Sequence, residues 1–207
     1  SLGSPRSRYS QHQQRCKGSD EVGDLLRGLN VYLIGMMGAG KTTVGKLLAE
    51  RLNYRFVDTD SLIEQVAGQS VSTIFAEQGE ANFREIESRV LSELSAYTRL
   101  AIATGGGIVL KHMNWSYLRD GAVVWLDVPL EQLQERLQTD TQRPLLQTDD
   151  LADRLQTLMQ QREALYQQAD VRVCFQTGET PEQVADRVIE QLQQIVKPET
   201  SNANERN

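Results

Sequence analysis

A chain of 207 residues with 39% hydrophobic and 24% charged residues can bury one substantial core, and its composition is that of a globular domain. A formal net charge of −6 excludes the broad basic footprint of nucleic-acid binding, and no run of about eighteen apolar residues is present to span a bilayer. Cys16 in a polar stretch and Cys174 in an expected core strand suggest no disulfide framework and fit a reduced compartment, while His12 and His112 lack the clustered ligands that zinc requires.

Residues 1–29 are polar, carry Arg6, Arg8, Arg15 and Lys17 before the first acid at Asp20, and show no apolar periodicity. They are expected to be a disordered tail or leader. With no methionine at position 1, a processed or trimmed terminus is open, and the basic, acid-free start is also compatible with part of a plastid transit peptide. An untargeted tail is the plainer reading.

The apolar run Val31-Tyr32-Leu33-Ile34 leads into Gly35-Met36-Met37-Gly38-Ala39-Gly40-Lys41-Thr42-Thr43, which fits G-x-x-x-x-G-K-[ST]. Glycines let the backbone curl so that its N–H groups face one anion, and the next helix points its positive end at the same place. Lys41 would reach the β- and γ-phosphates, and Thr42 would place its hydroxyl on Mg²⁺. A plain glycine-rich turn is the competing reading; the strand before and the helix after, marked by Val44, Leu47, Leu48 and Leu52, favour the phosphate cradle.

Beyond it, apolar strands are expected at 31–35, 54–58, 100–104, 122–127 and 171–175. The connections between them, of a dozen or more residues, suit right-handed parallel crossovers. The last helix is marked by Thr180-Pro181-Glu182-Gln183, a capping box with proline at the first position, followed by Val184, Val188, Leu192 and Ile195. The expected fold is α/β, a three-layer α/β/α sandwich with a five-stranded parallel sheet over residues 30–197, with 198–207 a frayed tail. Ligands in such folds gather at the carboxyl ends of the strands.

Three loops should converge on that rim: the phosphate loop, Asp58-Thr59-Asp60, and Thr104-Gly105-Gly106-Gly107. Asp58 could complete a magnesium shell or make an Asx-turn; Asp60 could orient an attacking hydroxyl or cap the helix Ser61 to Ala67. Arg84, in a helix opening at 79–87 with Phe83, Ile86, Val90 and Leu94 on one face, could be functional or simply solvated and paired with Glu87. Three consecutive glycines after a buried strand would let a ligand approach the backbone.

The combination of the phosphate loop, Phe56-Val57-Asp58-Thr59-Asp60, Phe83-Arg84-Glu85-Ile86-Glu87, Ala103-Thr104-Gly105-Gly106-Gly107 and Arg143-Pro144-Leu145-Leu146 resembles shikimate kinase over about residues 29–196, in the family's order. The resemblance implies ATP-dependent phosphorylation of the shikimate 3-hydroxyl, with ATP at Gly38, Ala39, Gly40, Lys41, Thr42, Thr43, Arg136 and Arg143. It implies shikimate at Asp60, Arg84, Gly105, Gly106, Gly107 and Arg162, where two arginines grip the carboxylate and Glu87 steadies the first. It also implies Mg²⁺ at Thr42 and Asp58, catalysis by Lys41, Asp60 and Arg143, an insertion at about 60–96 that binds shikimate, and a lid at about 138–150. Arg136 matches an arginine that stacks on adenine. A basic residue found over adenine in many members has no counterpart in Gln176-Thr177-Gly178-Glu179. The implied protein is a cytoplasmic enzyme, or a plastid one if the start is a transit remnant, expected to be monomeric and without nucleic-acid or membrane partners. A kinase for another polyhydroxy acid such as gluconate, or a silent nucleotide-responsive binding protein, are the rival readings.

Overall fold

The structure is a computed structural model that describes residues 26–139 and 150–196. Central strands β1 (Val31–Ile34), β3 (Leu100–Ala103) and β4 (Ala122–Asp127) are near-continuous apolar runs, because a parallel sheet covered on both faces has no solvent side to fill with polar residues. The edge strands β2 (Arg55–Asp58) and β5 (Val171–Cys174) are less enclosed. In β5 the pattern alternates, with Val171 and Val173 buried and Arg172 and Cys174 exposed. Cys174, expected in the core, therefore faces outward.

The spatial order is β2-β3-β1-β4-β5, with all pairs parallel. Strand β1 sits at the centre, in register with Ala101–Ala103 on one side and Ala122–Trp125 on the other. The helices among the described residues are α1 (Lys41–Leu52), α2 (Thr59–Ala67), α3 (Val71–Ser95), α4 (His112–Leu118), α5 (Leu130–Gln138), α6 (Leu151–Tyr166) and α7 (Pro181–Val196). A 3-10 turn covers Ile108–Leu110.

Helix α1 starts at Gly40 in the left-handed region (φ 89°), with no side chain capping its first N–H groups. Those donors remain directed into the loop ahead of the helix. Helix α3 is two helices joined at Gly79, whose φ of 83° and ψ of 167° break the helical path just before the Phe83–Glu87 segment. Helix α7 starts as expected: Gln183 N–H donates to Thr180 Oγ1 (3.2 Å) and Thr180 N–H donates to Gln183 Oε1 (2.9 Å). Its Val184, Val188 and Leu192 are buried, but Ile195, read as part of the same face, is 48% exposed.

The described chain begins inside the stretch expected to be a tail. Leu26 is fully buried and Gly28 accepts a backbone bond from Arg99, so residues 26–29 pack on the domain. The remainder of that stretch, the lid interior with Arg143, and the tail 198–207 lie outside the described residues.

Candidate active site

The ends of β1, β2 and β3 open into one cleft of about 530 Å³, lined by the phosphate loop, Asp58, Asp60, Thr104, Gly105 and Gly106 on one side. Arg136, Val173, Phe175, Pro181 and Val184 line it on the other. Lys41 is 9% exposed and its ammonium donates to the carbonyls of Gly35 (2.5 Å) and Met36 (3.0 Å), which holds the lysine along the inside of the loop. Gly38, Ala39, Gly40, Thr42 and Thr43 all face the cleft.

Thr42 and Asp58 come together. The Thr42 hydroxyl donates to Asp58 Oδ2 at 2.9 Å, while Asp58 Oδ1 accepts from Ser61 N–H at 3.1 Å. Asp58, not Asp60, is thus the cap of α2, because a residue with extended backbone (φ −107°, ψ 123°) directs its carboxylate back over the first turn. The two oxygens meet the requirements of Mg²⁺: both are hard ligands, and 2.9 Å matches the spacing of adjacent ligands in an octahedron with bonds of ~2.05 Å. Among the described residues no group of three His, Cys, Asp or Glu could cage a metal, so the fit relies on this pair together with phosphate oxygens and water.

Arg136, on α5, donates through Nη1 to the Gly38 carbonyl (2.9 Å) and lies 4.9 Å from the centre of the Phe175 ring. Phe175, an aromatic residue just past β5 that belongs to no sequence motif, forms an apolar wall beside the guanidinium. In the stretch without a basic residue, Arg187 reaches over from α7, pairing with Glu179 (3.2 Å) and donating to the Cys174 carbonyl.

The glycine triplet is where the second half of the site converges. A Cβ on Gly105 would lie 2.9 Å from Asp60 Oδ1 and 3.0 Å from Glu87 Oε2; one on Gly106 would lie 3.1 Å from Arg162 Nη1. A Cβ on Gly107 would fall inside the guanidinium of Arg84. The bare backbone therefore admits two cations and two carboxylates at once, and any side chain would displace one of them. Gly105 N–H is fixed by the Thr59 hydroxyl (3.0 Å), and Thr104 by its hydroxyl bond to Leu33 O (2.7 Å).

Arg84 donates to Glu87 at 2.9 Å, with the acid 1% exposed and the arginine 13%. Burial pushes the Glu87 carboxyl up to about 7; Arg84 opposes this, and the nearby Asp60 adds to it. Glu87 Oε2, Arg84 Nε and Arg162 Nε are buried with no hydrogen-bond partner within the protein. Buried polar atoms seldom go without a partner, so a water or a polar ligand is the complement these three atoms call for.

A family model described as "Shikimate kinase" matches residues 37–193. The chain belongs to the shikimate kinase family. The shikimate kinase of Trichormus variabilis is 55% identical over 181 residues, covering 87% of this chain and all of the relative. That of Synechococcus elongatus is 54% identical over 172 residues, covering 83% and 90%. Among solved structures, shikimate kinase from Acinetobacter baumannii in complex with shikimate superposes with a TM-score of 0.78 at 35% identity, covering 84% of this chain and 98% of that one. A sugar kinase from Janibacter sp. at 20% identity and a TM-score of 0.54 shares the fold alone. As a member of the shikimate kinase family, the chain is a phosphotransferase on a P-loop scaffold, and no helix of its described residues is long and apolar enough to cross a membrane.

Proposed function

We propose that this chain transfers the γ-phosphoryl group of ATP to the 3-hydroxyl of shikimate, giving shikimate 3-phosphate and ADP. The observation that carries the reading is the junction at Gly105–Gly107: two arginines and two carboxylates surround bare backbone, beside a phosphate loop, in a member of this family. A ring acid with one carboxylate and three hydroxyls offers complementary groups to that set.

In this reading the loop N–H groups and Lys41 hold the phosphates, and the hydroxyl of Thr42 with the carboxylate of Asp58 would hold Mg²⁺, which would supply positive charge beside the phosphates. Arg84 and Arg162 grip the acceptor's carboxylate, and Glu87 holds Arg84 in place. The N–H groups of Gly106 and Gly107 meet the ring's oxygens, that of Gly105 being held by Thr59. Asp60 aligns the 3-hydroxyl and accepts its proton as the oxygen attacks in line. Arg136 and Phe175 flank the adenine. Arg143, on the segment 138–150 that we read as the lid, is assigned to the transferring phosphoryl group on the family resemblance. We read the protein as a monomer, and the bacterial relatives support a cytoplasmic location.

The test is ADP release by the purified protein with MgATP, alone, with shikimate and with gluconate. Release stimulated by shikimate and not by gluconate is expected. Stimulation by gluconate alone would move the protein to another acceptor, and no stimulation of folded, ATP-binding protein would make it a silent binding module.

A further inference from the structure

We propose that Tyr166 is a positioning residue for the acceptor, acting through the Gly106 carbonyl; the proposal rests on the shikimate-kinase reading above. Three consecutive glycines have no side chains with which to settle their own orientation, so the direction of each peptide must be imposed from outside. The carbonyl of Gly105 is held by Ile108 N–H and that of Gly107 by Leu110 N–H, both at 3.1 Å. The carbonyl of Gly106 is held by a side chain: the Tyr166 hydroxyl donates to it at 2.7 Å.

The peptide is planar and trans, so its C=O and the following N–H point in opposite directions. Fixing the Gly106 oxygen toward Tyr166 turns the Gly107 N–H away from the tyrosine. The hydroxyl therefore sets the direction of a donor in the segment that surrounds the acceptor.

The tyrosine is itself held. It is fully buried, its ring stacks on Trp125 with centroids 5.7 Å apart at 27°, and Trp125 carries the guanidinium of Arg172 at 4.5 Å. Burial also raises the pKa of the hydroxyl, with the charges of Arg162 and Arg84 opposing, which leaves it a proton donor at neutral pH. Arg162 lies one turn earlier in α6 and is 6% exposed. The last turn of α6 thus carries both Arg162, whose Nη1 lies 3.1 Å from where a Cβ on Gly106 would stand, and Tyr166, which holds the Gly106 oxygen.

Tyr166→Phe removes the hydroxyl and keeps the ring in its stack. The expected result is a KM for shikimate raised by about tenfold, the size of effect that loss of one aligned hydrogen bond produces, with the KM for ATP changed less than about twofold. Leu192→Ala, a destabilising change two turns beyond the cleft residue Val184, should leave both KM values in place. Amide hydrogen exchange of the 105–108 segment, followed by mass spectrometry, should quicken in Tyr166→Phe and not in Leu192→Ala.

Unchanged KM values in Tyr166→Phe, or equal rises for shikimate and ATP, would overturn the proposal, as would unaltered exchange at 105–108. If the parent protein does not phosphorylate shikimate, the substrate reading fails separately. The exchange comparison then decides alone whether Tyr166 sets the triplet.

Discussion

Glu87 is held in a conflict that pH can resolve. It is 1% exposed, and burial raises its pKa from 4.5 to about 7 even with Arg84 at 2.9 Å. The folded chain therefore keeps a proton at Glu87 that the unfolded chain releases near 4.5. Where the native state binds more protons, stability falls as pH rises, so this contribution is fully present below pH 4.5 and is lost as pH passes through about 7. One proton limits the slope to about 1.4 kcal/mol per pH unit. Glu87→Gln stays neutral throughout, so urea unfolding at pH 5 to 8 should show the variant gaining on the parent as pH rises. A stability gap without a pH trend would show that Glu87 is already ionised in the fold. Asp60→Asn should keep the fold and lower kcat by roughly 10²–10⁴ in the steady-state assay, the range for loss of a general base; unchanged turnover would remove Asp60 from that role. Gly107→Ala drives a methyl into the Arg84 guanidinium, and displacement of that anchor should cost roughly 10² in kcat/KM for shikimate. Normal kinetics in that variant would mean that Arg84 does not bind the acceptor from this position.

The kink in α3 is a claim about an element. Gly79 occupies a backbone region that is essentially glycine-only, and a Cβ there would meet nothing within 4 Å. Gly79→Ala should therefore destabilise through backbone strain alone, by roughly 1–3 kcal/mol in equilibrium unfolding. A neutral result would mean that the bend relaxes into a continuous helix. The three central strands are legible because buried parallel strands are written as apolar runs, and the cap of α7 because its Thr180–Gln183 bonds are local. The cap of α2 was not legible: Asp58 and Asp60 are both good caps, and only the backbone angles decide between them. Cys174 and Ile195 were misread for a related reason, since an edge strand and a final helical turn continue an apolar pattern beyond the point where partners cover it. At the site, the phosphate loop could be derived from its spacing, whereas Arg84, Arg162 and the triplet stood out only as a set. Tyr166 and Phe175 gave no signal, because aromatic residues beside a core resemble packing until their partners are seen.

For the whole molecule, a cleft lined from the strand ends and from α1, α2, α5 and α7 makes ligand binding a property of the folded state alone. Saturation with MgADP at about a hundred times its Kd should add about 2.7 kcal/mol to stability, seen as a rise in Tm, with shikimate adding a further increment. A Tm insensitive to both would place nucleotide and acceptor elsewhere. The sheet order has another consequence, for synthesis. Among the described residues, strand β1, which carries the phosphate loop, precedes the other strands, yet its two neighbours are Leu100–Ala103 and Ala122–Asp127. No hairpin can cover it in the meantime, because each parallel partner arrives only after a long crossover. The nucleotide cradle therefore exists in the growing chain as sequence before it exists as structure. A ribosome-bound fragment lacks the complete cleft until residue 184 has cleared the exit tunnel, because Arg136, Val173, Phe175, Pro181 and Val184 line it.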